Sequence, residues 1–355
     1  MSEMKYHYTS VDATTSMYRV KNLRMTRSEF LNDPADCKVL FSLIEKYLAY
    51  KSAEIENHLN SSDLRQLYEK APLVNYIAFL QNHIHLYVLS LTGNNDQMSM
   101  WNYYGSGGMQ LSIDIDQLIG TLHKNLLQPN QYLAYSDVKY VSDTDTVETI
   151  SFEPFCSFHL DTKDHKNIFK THSTRSGRSG AVHPLYQTTT LSGFVDTYIT
   201  GYIRSIEYLS SINCISMTNS AEEIFKAIYN NTNDLDNYYE FKKDLTLYMI
   251  VLSALLKNDT YSFEKEFRVV YFENTLSPLI NTEYTVSFLQ GQKYLRPYME
   301  IPLATTEFIR EITLSPLTRN IPIDSELYTE IISEFIQKES GHSTNVNWSK
   351  HKIRW

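Results

Sequence analysis

Alternation of apolar and polar residues marks both ends of the chain. Tyr6, His7 and Tyr8 predict a short first strand, Ser10 or Asp12 caps a brief helix, and Asn22–Thr26 predicts a second strand. The segment Leu31–Asp36 turns the chain. Asp33 followed by Pro34 reads as an N-cap and first helical position, and Val39, Leu40, Leu43, Ile44, Tyr47 and Leu48 share one face of a helix predicted over about 35–56. Residues 74–84 predict another helix, and 85–91 a strand that ends at the turn Gly93-Asn94-Asn95. A short helix over 97–105 closes at Gly105. Gly107-Gly108 then turns into 109–115, where Leu111, Ile113 and Ile115 alternate with polar residues.

The middle of the chain changes period. Residues 145–190 are polar and irregular and carry a Ser/Gly/Arg loop around Arg175–Arg178, flanked by His172 and His183. Helical spacing returns over 192–212, where Phe194, Tyr198, Ile199, Tyr202, Ile206 and Leu209 share a face, and again over 221–230 and 236–257. From Glu266 onward strands are predicted over 266–273, 282–289, 298–304 and 310–316, with one helix near 324–338. With strands drawn from both ends and helices between them, the prediction is one α+β domain over 1–355. It has mixed or antiparallel sheets and a mainly helical insertion at about 145–260.

Composition narrows the class. The content of 42% hydrophobic and 21% charged residues is that of a globular chain able to bury a core. Twenty-seven tyrosines favour grooves lined by rings with polar tips. A formal charge of −9 argues against a generic grip on nucleic-acid backbones and leaves only local contacts. Cys37, Cys156 and Cys214 are far apart and form no CxxC pair, so reduced thiols are expected and neither a disulfide framework nor a zinc site is signalled. The opening MSEMKYHYTS lacks the basic and apolar regions of a secretory signal, so a cytoplasmic location is expected. The longest apolar run, Tyr248–Leu256, is about half a membrane span, which predicts a core helix and no membrane partner.

Few residues carry chemistry by pattern. On a strand, Glu264, Glu266 and Arg268 share one face, so the two carboxylates can line one cleft; the competing reading is a solvated edge strand with its charges paired to Arg268. Arg268 would neutralise the carboxylates or hold a phosphate in its two-pronged guanidinium. His83-Ile84-His85 and Asp114-Ile115-Asp116 resemble metal pairs but lack partners at ligand spacing, so no metal is expected. Gly105–Gly108 lacks the lysine of a phosphate loop, and no nucleophile elbow occurs.

Five motifs in order resemble a known set. They are His7-Tyr8-Thr9, Leu31-Asn32-Asp33, Met100–Gly105, Glu264-Lys265-Glu266-Phe267-Arg268, and Ser349–Arg354. Together they resemble the bacterial domain-of-unknown-function family numbered 2971 over the whole chain. That resemblance implies a setting near bacterial defence or toxin loci. A second resemblance, in architecture, is to ADP-ribosyltransferases of the His-Tyr-Glu type. It implies an enzyme using NAD as substrate, with a macromolecular acceptor and a neutralising or defence-system partner protein. In that reading Glu266 is the carboxylate beside the developing positive charge. His7 donates to a ribose hydroxyl or the carboxamide, with Thr9 on its strand face and Tyr8 between them. Tyr104 stacks on nicotinamide, Trp101 walls the pocket, and Glu264 and Arg268 line the same cleft. Core packing competes for Trp101 and Tyr104, and a structural hydrogen bond competes for His7. The alternative function is a non-catalytic subunit that binds a nucleotide or a protein. A nuclease is least supported, because the chain is acidic and shows no carboxylate cluster for metal.

Overall fold

The computed structural model describes residues 3–31, 33, 36–126, 131–150, 159–161, 190–230, 240–273, 286–290, 295–317 and 324–351. The Arg175–Arg178 loop with His172 and His183, Asn32, Pro34, Cys156 and Lys352–Arg354 lie outside the described residues.

The strands are β1 (Met4–Thr9), β2 (Asn22–Arg27), β3 (Leu86–Thr92), β4 (Met109–Asp114), β5 (Gln131–Asp137), β6 (Lys139–Val141), β7 (His159–Asp161), β8 (Leu256–Asn258), β9 (Glu266–Glu273), β10 (Val286–Gln290), β11 (Leu295–Pro302), β12 (Ile309–Leu314) and β13 (Asn345–Trp348). The helices are α1 (Val11–Val20), α2 (Val39–Tyr50), α3 (Ser52–His58), α4 (Ser62–Lys70), α5 (Leu73–His83), α6 (Met98–Tyr103), α7 (Ile115–Leu126), α8 (Leu191–Ser211), α9 (Ala221–Asn230), α10 (Glu240–Leu255) and α11 (Ser325–Ser340). The class is α+β, with a mixed sheet built from strands of both chain ends.

The sheet is organised around β3 and β9, which pair antiparallel from Leu86↔Phe272 to Thr92↔Glu266. Beyond β9 lie β5 and then β7. The other edge of β3 forks. At one end Val88 and Tyr87 pair with Thr26 and Arg27 of β2, which continues to β11 and β10. At the other end Thr92 pairs with Tyr6 of β1, which continues to β4, β12 and β13. Each neighbour therefore covers only one end of β3, and the edge between them is open to other partners.

Side-chain alternation on the central strands builds two cores, because successive residues of a strand point to opposite faces. Val270 and Phe272 of β9 join Val88 in a core packed by α2–α5 and α8–α10. Phe267, Val269 and Tyr271 join Leu89 and Leu91 in a second core covered by α1, α7 and α11. The helices of the middle block thus share one core with α2–α5. Among the described residues no helix is long and apolar enough to cross a membrane.

Two local readings need correction. Asp33 does not cap a helix running from residue 35. Cys37 adopts φ 61, a left-handed geometry that breaks any helical path, and α2 starts only at Val39 behind Lys38. Asp33 instead closes a turn through Asp36 N to its carbonyl at 3.0 Å. Likewise β4 stops at Asp114, whose carboxylate accepts from Gln117 N at 3.2 Å and starts α7, a helix the alternating pattern had hidden.

Candidate functional site

A cavity of about 570 Å³ occupies the fork. One wall is β1 (Tyr6, His7, Tyr8), the other is β2 (Arg24, Thr26), and the exposed edge of β3 from Val88 to Thr92 joins them. A bare strand edge presents unpaired backbone groups. His7 answers one of these: its Nδ1 lies 3.1 Å from the Ser90 carbonyl oxygen. A carbonyl only accepts, so Nδ1 carries the proton, and burial lowers the ring's pKa and keeps it neutral. Nε2 is then an acceptor. The expected donor role of His7 is reversed: it would accept from a ribose hydroxyl or a carboxamide N–H.

The floor is built where β9 begins. Glu264 ends a 3-10 turn, Asp259–Glu264, and does not lie on the strand. Lys265 follows at φ 44, and this left-handed residue lets Glu264 and Glu266 both reach the cavity. The loop after β3 clamps the turn. Gly93 N donates to the Lys265 carbonyl at 2.8 Å, Asn94 Nδ2 to the Phe263 carbonyl at 2.6 Å, and the Thr92 hydroxyl to the Glu264 carbonyl.

Buried charges then form one chain. Arg268 is fully buried, and its Nε and Nη2 donate to Glu266 at 2.7 and 3.0 Å. Nη2 also donates to Asp36 Oδ1 at 2.6 Å, and Nη1 to the Ala254 carbonyl at 2.7 Å. Lys257 Nζ donates to Glu266 Oε2 at 3.1 Å and to Glu264 Oε2 at 2.8 Å. The Tyr104 hydroxyl donates to Glu264 Oε1 at 2.5 Å. Three carboxylates thus face two cations, and each pair offsets part of the cost of taking charge out of water.

The two glutamates differ in what they have left to offer. A carboxylate has about four lone-pair sites. Glu266 gives three to Arg268 and Lys257. Burial would raise its carboxyl pKa, but Arg268, Lys257 and the Ser90 hydroxyl outweigh that and bring it to about 2. Glu264 spends one site on Tyr104 and one on Lys257, so it retains acceptor capacity at the cavity wall. Burial, reinforced by Glu264, pushes the Tyr104 phenol far above its usual range, so Tyr104 stays a donor.

The other expected residues fall into place by contact. Tyr8 lines the cavity, and its hydroxyl donates to the Asn94 carbonyl at 3.1 Å and accepts from Gln97 N at 2.9 Å. Trp101 is fully buried behind it, edge-on to the Tyr8 ring at 4.8 Å, with Nε1 donating to Asp96 Oδ1 at 2.8 Å; it backs the wall and does not line it. Thr9 and Arg268 are not among the lining residues. Arg268 is enclosed by Glu266, Asp36 and Ala254 and offers no fork to a phosphate from the cavity.

Sequence reasoning missed Asp36, Lys257, Ser90 and Arg24. Lys257 had a weak signal, since it directly follows the longest apolar run and a lysine drawn into a core needs a charged partner. The others required the sheet pairing. His83 is bound at Nδ1 to the Phe79 carbonyl at 2.9 Å, and Asp114 holds Arg310 at 2.9 Å. Among the described residues no group of three or more His, Cys, Asp or Glu side chains is placed to hold a metal ion. No family model, no curated protein and no solved structure matches this chain.

Proposed function

We propose that the forked-sheet cavity binds NAD and that the chain is an ADP-ribosyltransferase-like enzyme. The observation that carries this reading is the Tyr104–Glu264 hydrogen bond in the same cavity as a neutral His7, with the three residues drawn from distant parts of the chain. The cavity volume falls within the range of small-molecule sites. The architectural resemblance to His-Tyr-Glu ADP-ribosyltransferases points the same way, while the resemblance to the family numbered 2971 suggests the setting and fixes no activity.

In the reaction, the bond between ribose C1′ and the nicotinamide nitrogen breaks and nicotinamide leaves with the electron pair. An acceptor hydroxyl or amine then bonds to C1′ and gives up its proton. The Glu264 carboxylate stabilises the positive charge that develops on the ribose, an electrostatic effect that grows toward the transition state. Tyr104 orients Glu264 and offers a ring face to nicotinamide. His7 accepts from a ribose hydroxyl or the carboxamide. Glu266 and Asp36 hold Arg268 and Lys257, and Lys257 in turn fixes Glu264. A macromolecular acceptor, a toxin or antiviral-defence setting and a neutralising partner protein belong to this proposal.

Incubation of the protein with NAD and a bacterial lysate, followed for free nicotinamide, tests it. The parent is expected to release nicotinamide, and Glu264→Gln to lower the rate by about 10²–10³-fold, the size of effect of one preorganised electrostatic group. Release at the parental rate by folded Glu264→Gln would remove the central assignment. A second reading, binding without turnover, is favoured by one feature: Glu264 and Glu266 are each only 4% exposed. In that case NAD raises the thermal midpoint and no nicotinamide appears.

A further inference from the structure

The cavity is electrically lopsided. Its lining carries Asp33, Asp36, Glu264 and Glu266, and its one lysine, Lys257, is consumed by the last three at 3.9, 2.8 and 3.1 Å. Across the fork, β2 presents a different cation. Arg24 is 35% exposed at its side chain, and its Nε donates to Glu300 Oε1 at 3.1 Å. Glu300 sits directly opposite on β11 in the Glu300↔Arg24 pair, and the Arg24 guanidinium lies over the Tyr298 ring at 5.0 Å. These contacts fix the plane of the group. Among the described residues the two Nη groups make no hydrogen bond, and they are the two prongs with which an arginine grips a pair of phosphate oxygens. Thr26, two residues along the same strand face, lines the same wall and adds a hydroxyl donor.

We propose that Arg24 and Thr26 form a phosphate subsite on the β2 wall, which orients the ligand across the fork. Its phosphate lies at Arg24 and its ribosyl pyridinium end at Glu264 and Tyr104. The class of ligand is a phosphorylated nucleoside with a cationic base. This inference rests on the NAD reading and adds to it a binding residue and a direction.

Calorimetric titration of the full chain with NAD, nicotinamide mononucleotide and nicotinamide riboside tests it. All three carry the pyridinium ribosyl group, and the riboside lacks phosphate. Arg24→Gln, checked for an unchanged thermal midpoint, is expected to weaken the first two ligands by about 10- to 100-fold and the riboside by less than about twofold. Arg24→Lys is expected to recover only part of the loss, since an ammonium lacks the fork. An equal loss for all three ligands, or none for NAD, would overturn the subsite while leaving NAD binding intact. Failure of the parent to bind any of them would overturn the NAD reading and the subsite with it.

Discussion

At the scale of single residues, the two neighbouring glutamates divide two tasks that the sequence presents as one. Glu266 completes the shell of Arg268, and Glu264 faces the cavity with acceptor sites to spare. Their amide variants therefore should part company. Glu266→Gln takes away the carboxylate that accepts from both Nε and Nη2 of the buried Arg268 and leaves Asp36 as its one charged partner, and removing one partner of a buried pair costs about 3–5 kcal/mol. Glu264→Gln keeps an acceptor for Tyr104 and leaves Lys257 paired with Glu266. Its cost is about 1 kcal/mol. Urea midpoints of the two variants check this, and equal shifts would contradict the division. A Glu266→Gln variant that loses activity thus reports on folding before it reports on catalysis.

At the scale of elements, the site depends on how α6 is held. Asp96, at φ 44, is the tie between α6 and the segment after β13. Its carboxylate accepts from Trp101 Nε1 at 2.8 Å and from Lys350 N at 2.7 Å, and its carbonyl meets His351 Nε2 at 2.7 Å. Trp101 in turn packs against Tyr8, and a Cβ added at Gly105 would stand 2.6 Å from the Trp101 ring. Gly108 is equally constrained, since its Cβ would lie 2.0 Å from the Thr9 carbonyl oxygen. Asp96→Ala would leave the buried indole N–H without its acceptor, which costs about 1–3 kcal/mol. Faster hydrogen exchange at Lys350 N, together with a lowered urea midpoint, is the expected result; unchanged exchange there would show that the tie is not needed.

At the scale of the molecule, acid should weaken the fold in two stages. His7 has its pKa lowered by burial, so the unfolded chain binds its proton more readily and stability declines as pH falls below the ordinary histidine value of 6.5. Glu266 has a folded pKa of about 2 against an ordinary 4.5, so its stabilisation is complete above 4.5 and is lost as pH falls from there toward 2. Asp36 acts in the opposite sense, because burial raises its pKa despite Arg268 and Lys257, and it softens the second stage. Urea midpoints measured from pH 7 to 3 are expected to fall gently below 6.5 and steeply below 4.5; a flat profile would show that the buried charges are not linked to folding.

The pattern of residues by itself determined the elements with one wet or one strongly periodic face. β1, β2, α5, β3, α6, α8 and β9 all stand near their predicted places, because alternation and 3.6-residue spacing are local properties. β5 escaped because Tyr132, Leu133 and Ala134 are buried on both faces and leave no alternation to see. The candidate site was legible only as separate pieces: His7, Tyr104, Glu264, Glu266 and Arg268 could be named, but not which of them meet. Only the tertiary structure decided that β1 and β2 each cover one end of β3 and leave a cavity between them. It also decided that Asp36 and Lys257 join the charge network, that Arg268 is enclosed and that Arg24 is open. These outcomes depend on contacts between residues far apart in the chain, Asp36 with Arg268 at 232 positions and Arg24 with Glu300 at 276, and no local period encodes them.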